Sequence, residues 1–135
     1  KDCVFCKILK GEIPSDKIYE DKDTFAFLDI NPLNPGHSLV IPKKHFNNIL
    51  DTPPEIFSKV MLIAQKLSKP IMKITKADGL NIGINNRKAA GQVVNHLHVH
   101  IIPRFNSDGY KSWERTKPIA KQNIKNLAEK IKNSL

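Results

Sequence analysis

His96-Leu97-His98-Val99-His100-Ile101-Ile102 is the stretch that decides how this chain is to be read. Along an extended strand, successive side chains point to opposite faces. A strand over residues 93–102 would therefore set three imidazoles on one face, about 7 Å apart at each step of two residues. Leu97, Val99 and Ile101 would fall on the other face, toward a core. A lone histidine on a strand is usually structural, whereas three in alternation inside an apolar run point to chemistry. Two chemistries need such a row. Histidines spaced by one residue on a strand can share a metal ion. Alternatively, a neutral imidazole is a nucleophile near pH 7 and can form a covalent intermediate on phosphorus. A neighbouring imidazole then stabilises charge on the phosphate oxygens.

The flanking residues favour phosphorus. Asn85 ends the preceding apolar segment, and Gly91-Gln92 lie just before the histidine row. A glycine-containing loop can aim backbone N–H groups at an anion, although most such loops are only turns.

Working outward, 135 residues with 40% hydrophobic content suit one domain spanning residues 1–135 with a real core. No apolar run approaches the ~20 residues of a membrane span, so no membrane partner is expected. The first residues lack a signal-peptide pattern, and export is not expected. Two close cysteines, Cys3 and Cys6, do not make a disulfide scaffold. The expected setting is reducing and cytoplasmic. A formal net charge of +9 predicts affinity for anions. The lysines are scattered, though, and in the tail Lys117, Lys121, Lys125, Lys130 and Lys132 face only Glu129. No basic stripe is interleaved with aromatics, so nucleic acid is not the expected partner.

The remaining segments follow from periodicity and breakers. Val4–Leu9 reads as a short helix, and residues 18–20 and 24–28 as strands. The Asn31-Pro32-Leu33-Asn34-Pro35-Gly36 run is a loop, and residues 38–41 form a strand stopped at Pro42. Thr52-Pro53-Pro54-Glu55 predicts a helix start, with Thr52 as cap, Pro53 at the first helical position and Glu55 completing a capping box. Pro70 is expected to kink that long helix or end it early. Asp78-Gly79 is a turn before a strand over residues 80–85. An amphipathic helix spans residues 119–135. Without regular βαβ alternation, this order predicts an α+β fold, an antiparallel sheet with helices packed on it.

Residues 91–102, Gly91 through Ile102, resemble the signature of the histidine-triad (HIT) superfamily. The resemblance extends to Asp2-Cys3-Val4-Phe5-Cys6-Lys7-Ile8, Gly11-Glu12-Ile13-Pro14, Phe27-Leu28-Asp29-Ile30 and Gly36-His37-Ser38-Leu39-Val40-Ile41-Pro42-Lys43-Lys44-His45. It covers residues 2 to about 105 and is similar to the Hint-like branch, in particular its bacterial, zinc-bearing members. It implies a HIT-like fold with a five-stranded antiparallel sheet, a long helix and a C-terminal helix. It also implies a homodimer with a continuous sheet.

The implied activity is hydrolysis of purine nucleoside phosphoramidates, such as an AMP phosphoramidate, or nucleotidyl transfer. His98 matches the nucleophile and His100 the histidine that contacts the phosphate. Asp29 matches the acid that holds the ribose hydroxyls. Val4, Phe5, Ile8, Phe27 and Ile30 match apolar walls around base and sugar, while Asn85, Gly91 and Gln92 match the phosphate end. His37 matches a histidine near the active site, with no role assigned. One residue departs from the pattern. Val93 stands where the family usually has Ser or Thr, and a lost transition-state donor can cost ~10²-fold or more in rate.

Cys3-x-x-Cys6 has a zinc-ligand spacing but is half a site. The plain alternative is two reduced cysteines and a core histidine. A redox pair is disfavoured because the thioredoxin-like context is missing. The resemblance implies that His45 and His96 complete a structural zinc site, with no catalytic metal. Three other readings stay open: a dinucleoside polyphosphate hydrolase, a nucleotide-binding regulatory protein with little turnover, and a metal enzyme using His98 and His100 as ligands.

Overall fold

Two apolar runs organise the sheet. Thr24–Leu28 (β2) and Ser38–Pro42 (β3) are buried along nearly their whole length. Strands apolar on both faces need cover on both. The computed structural model, which describes residues 3–111 and 118–135, supplies that cover. Asp2 and Lys117 lie outside the described residues. With β1 (Lys17–Glu20), β4 (Gly79–Gly83) and β5 (Val99–Arg104), the runs form a five-stranded sheet in the order β1-β2-β3-β5-β4. Every neighbouring pair is antiparallel, as the sequence predicts for an α+β fold.

Helix α2 (Pro54–Thr75) covers one face, packing Val60, Ala64 and Leu67 against Ala26, Val40, Val99 and Ile101. Helix α1 (Val4–Leu9) covers the other, with Phe5 set among Phe25, Phe27, Leu39 and Ile41. Alternation decides which strand residue goes where. Leu39 pairs directly with His100, so that imidazole lies on the α1 face of the sheet.

Several sequence expectations give way to local physics. Strand β5 starts only at Val99, so His96, Leu97 and His98 lie in irregular backbone and the three imidazoles do not form a strand row. Pairing of β3 with β5 stops at Val40–Val99. Beyond it Pro42 has no N–H to offer a ladder, and the Leu97 N–H bonds instead to the Phe46 carbonyl at 2.7 Å. His96 and Leu97 are consequently both buried, where alternation would have separated them.

Pro103 does not end β5. Its carbonyl turns away from β4 to accept from Asn34 Nδ2 at 2.9 Å, so β4 does not miss the absent N–H. Gly79 and Asp78 do not form a separate turn before β4, which begins at Gly79 and stops at Gly83.

Thr52 does not cap α2. Its hydroxyl donates to the Asn48 carbonyl at 2.6 Å, and Pro53 occupies the cap position with Pro54 as the first helical residue. Pro70 does not end the helix, which runs on to Thr75. Burying Val60 and Leu67 is worth roughly 1.5–3 kcal/mol each, enough to offset the ~3 kcal/mol cost of an interior proline. Helix α3 (Lys121–Asn133) is amphipathic, but every one of its residues is exposed, so it does not pack on this chain's sheet.

Candidate active site

The irregular segment before β5 fixes the chemistry of His98. Its Nδ1 lies 2.7 Å from the His96 carbonyl oxygen, two residues back. A carbonyl can only accept, so the proton sits on Nδ1 and the Nε2 lone pair is left for chemistry. The Phe5 and His98 rings pack nearly perpendicular, 5.1 Å between centroids. Burial lowers the His98 pKa, against the opposing pull of the His96 carbonyl and the Asp29 charge, which keeps the imidazole neutral near pH 7.

His100 lies beside it, with ring centroids 4.9 Å apart. Its Nδ1 meets His37 Nε2 at 2.9 Å. Burial pushes His100 down to about 4, helped by the neighbouring His98 and His37. Asp29 Oδ2 stands 3.6 Å from His37 Nε2, and Asp29 Oδ1 accepts from the Asn31 N–H. Asp29, His37 and His100 thus converge, within 4.8 Å of one another. His37 and His100 line a cleft of about 820 Å³ that also takes in Leu33, Asn85 and Arg104. That volume suits a nucleotide-sized ligand.

The second cluster joins α1 to the catalytic segment. Ligand atoms of Cys3, Cys6, His45 and His96 all lie within 4.8 Å of one another. His45 Nδ1 and His96 Nδ1 are 3.2 Å apart, Cys6 Sγ is 3.3 Å from His45 Nδ1, and Cys3 Sγ is 3.4 Å from His96 Nδ1. Outer contacts aim both lone pairs inward. His96 Nε2 donates to the Pro42 carbonyl at 2.9 Å, and His45 Nε2 faces Asn47 Oδ1 at 3.3 Å. Two thiols and two imidazoles of fixed tautomer, brought together from three segments of the chain, are a donor set that fits a tetrahedral metal ion.

The other sequence-predicted residues separate into groups. Phe5 and Phe27 are buried core residues, and Ile8 packs beside them. Val4, Ile30 and Val93 are exposed, Val93 at 89%. Val93 and Val4 line a different cleft, of about 430 Å³, over Cys3 and His45. Gln92 is buried with its amide already engaged. Its Nε2 donates to the carbonyls of Asn47 and Val94, and its Oε1 accepts from the Arg87 N–H. It therefore braces the loop that carries Gly91. Asn85 Nδ2 reaches the Gly91 carbonyl at 3.5 Å, and Gly91 has φ +90°, a conformation that favours glycine.

Sequence reasoning missed Leu33, Asn34 and Asp108. Asp108 accepts from Arg104, Asn34, and the Phe105 and Tyr110 N–H groups, clasping the 31–37 loop to the end of β5. Only the Asn-Pro and Asp-Gly turn dipeptides hinted at these positions.

The sequence model of the HIT domain matches residues 10–107. An adenylylsulfatase of Arabidopsis thaliana is 48% identical over 107 residues, which cover 79% of this chain and 54% of that protein. An adenosine 5'-monophosphoramidase of Saccharomyces cerevisiae is 47% identical over 102 residues, covering 76% of this chain and 62% of that protein. The chain thus spans between half and two-thirds of the length of these two relatives. A zinc-bound histidine triad family protein from Mycobacterium smegmatis superposes with a TM-score of 0.78 at 36% identity, covering 99% of this chain and 98% of that one.

Proposed function

The chain belongs to the HIT domain family, and from that premise we propose that it hydrolyses purine nucleoside phosphoramidates, or transfers their nucleotidyl group, through a covalent intermediate on His98. The observation that carries this reading is the 2.7 Å bond from His98 Nδ1 to the His96 carbonyl, which leaves a neutral imidazole with an unprotonated Nε2 beside His100, a residue that lines the cleft. Relatives named adenylylsulfatase and adenosine 5'-monophosphoramidase support the substrate class.

In this mechanism His98 Nε2 attacks the α-phosphorus, and an N–P bond forms as the bond to the leaving amine breaks. The amine departs with a proton taken from solvent, which the later addition of water returns. Water then adds its oxygen to phosphorus, the bond to His98 breaks, and AMP leaves. Splitting one displacement into two lowers each barrier. His100 hydrogen-bonds the non-bridging oxygens, whose charge must be stabilised in both steps. Asp29 accepts from the ribose hydroxyls. The resemblance assigns Val4, Phe5, Ile8, Phe27 and Ile30 to the walls around base and sugar and Asn85, Gly91, Gln92 and Val93 to the phosphate end; of these Asn85 lines the cleft with His37 and His100, whereas Val4 and Val93 line the neighbouring one.

Cys3, Cys6, His45 and His96 would hold a structural Zn²⁺, which crosslinks α1 to the segment carrying His98 and supplies no step of the reaction. The zinc-bound relative supports this assignment. A homodimer with a continuous sheet and a reducing, cytoplasmic setting complete the reading.

The test is hydrolysis of a fluorogenic adenosine phosphoramidate by wild type and His98→Ala side by side. Turnover that vanishes in the mutant supports the proposal. AMP binding without wild-type turnover would instead favour the second reading, a nucleotide-binding regulatory protein, which exposed Val93 at the expected hydroxyl position keeps in play. Preferential cleavage of a dinucleoside polyphosphate would move the substrate class to that family of compounds.

A further inference from the structure

His37 carries no role in the reaction proposed above, yet it is buried and hydrogen-bonded at both ring nitrogens. The Leu33 backbone N–H points at His37 Nδ1 from 3.0 Å. A backbone N–H can only donate, so Nδ1 must keep its lone pair. A neutral His37 therefore carries its proton on Nε2, the nitrogen nearer Asp29 Oδ2, whose charge favours a proton there. That Nε2–H faces His100 Nδ1 at 2.9 Å. His100 Nδ1 must then accept, and the single proton of a neutral His100 is left on Nε2. Among the described residues His100 Nε2 has no hydrogen-bond partner, so its N–H is available to a ligand in the cleft.

The chain of consequence starts in a rigid turn. Leu33 lies between Pro32 and the Asn34-Pro35-Gly36 corner. The loop is tied by the Asp29 N–H to the His37 carbonyl at 2.9 Å, the His37 N–H to the Asn34 carbonyl at 3.1 Å, and Asn34 Nδ2 to Asp108 at 3.0 Å. The Leu33 donor therefore has little freedom to turn aside.

We propose that His37 is a positioning residue that sets the tautomer of His100: the Leu33 N–H, relayed through His37, makes His100 an Nε2–H donor toward the phosphate oxygens. Its counterpart is His98, which the His96 carbonyl sets in the opposite tautomer, with the proton on Nδ1. Two histidines two residues apart thereby present a donor and a lone pair, the complementary pair that attack on phosphorus requires. Burial lowers the His37 pKa, against the pull of Asp29, which keeps it neutral and the relay intact. The effect on turnover rests on the proposed phosphoramidate reaction; the tautomer does not.

The experiment is long-range proton–nitrogen NMR on the full-length protein with ¹⁵N-labelled histidine, His100 being assigned through His100→Gln. Wild-type His100 is expected to give the Nε2–H tautomer without substrate. His37→Phe removes the relay, and the His100 signals are expected to shift toward the Nδ1–H form, with kcat falling roughly 10-fold to 100-fold and KM much less affected. His37→Gln, whose amide can offer an N–H at a similar place, is expected to recover the Nε2–H signature and part of kcat.

A wild-type His100 protonated on Nδ1 would overturn the proposal before any mutant is made. So would an unchanged tautomer in His37→Phe, or a shifted tautomer with kcat still within about twofold of wild type. Because the nitrogen shifts are read without substrate, a wild type that turns nothing over would sink the phosphoramidase reading and leave the tautomer assignment standing on its own result.

Discussion

His98 Nδ1 lies 2.7 Å from the carbonyl oxygen of His96, a bond between residues that an ideal strand would hold apart. It exists because the chain is irregular up to Val99. One backbone acceptor sets the protonation site of the nucleophile candidate and leaves Nε2 reactive.

His98→Ala is therefore expected to abolish turnover while AMP binding, read by calorimetry, persists. Acid quenching of the wild type during turnover of an AMP phosphoramidate is expected to show protein heavier by one nucleotidyl group, and His98→Ala none. Wild-type protein that turns over with no trace of adduct would argue for direct attack by water.

Val93 is 89% exposed, so its replacement disturbs no packing. Val93→Ser is expected to leave Tm within about 1–2 °C, since exposed substitutions usually stay within ±0.5 kcal/mol. If a hydroxyl there reaches the leaving group, kcat for the phosphoramidate rises several-fold; an unchanged kcat means this site works without it.

Zinc content by mass spectrometry of the purified protein is expected near one ion per chain. A ligand that binds only the folded state stabilises it by about 2.7 kcal/mol when present at 100 times its dissociation constant. Chelation, or Cys6→Ser, is expected to lower Tm, with activity at low temperature falling far less than in His98→Ala. Loss of activity in step with zinc while the fold stays intact would contradict a purely structural ion.

Stability should fall on mild acidification. His100 is held at about 4 when folded, by burial first and by its histidine neighbours, against an ordinary 6.5. Between those values the unfolded chain binds the proton and the folded chain does not, so stability drops as pH falls from 6.5 to about 4 and then levels off for this group. The ceiling is about 1.4 kcal/mol per pH unit. Asp21 does not confound this window: hydrogen bonds from Thr24, the Asp23 N–H and Tyr19 outweigh its burial and hold it at about 2. Urea midpoints at pH 7 and pH 5 should differ more for wild type than for His100→Gln.

Gly36 sits at φ +89°, and a Cβ there would come 2.5 Å from Thr75 Cγ2 and 3.2 Å from Pro103 Cγ. Gly36→Ala is expected to cost roughly 1–3 kcal/mol from backbone strain and crowding. Urea denaturation measures it. Gly11→Ala, which shares the positive φ but has open space around its Cβ, should cost less.

Much of this was legible in the sequence. The apolar runs at 24–28 and 38–41, the helical spacing of Val60, Ala64 and Leu67, and the resemblance around residues 91–102 were enough to predict an α+β fold with an antiparallel sheet. They also brought Cys3, Cys6, His45 and His96 into one expected cluster, and the structure brings those four together. Periodicity sufficed because burial of alternating or helically spaced side chains is a local property that the chain writes into itself.

Tertiary structure alone decided the chemistry within that frame. The histidine row was expected as a regular strand; the Pro42 end of β3 and the Phe46 carbonyl take the backbone away from the ladder and let His96 and His98 turn inward. Which nitrogen of His98 and His100 holds a proton depends on a carbonyl two residues back in one case and on a backbone N–H some 67 positions away in the other, relayed through His37. Hydrogen bonds are directional and short, so a tautomer is fixed by whichever group the fold brings within 3 Å, and sequence spacing carries no record of that neighbour.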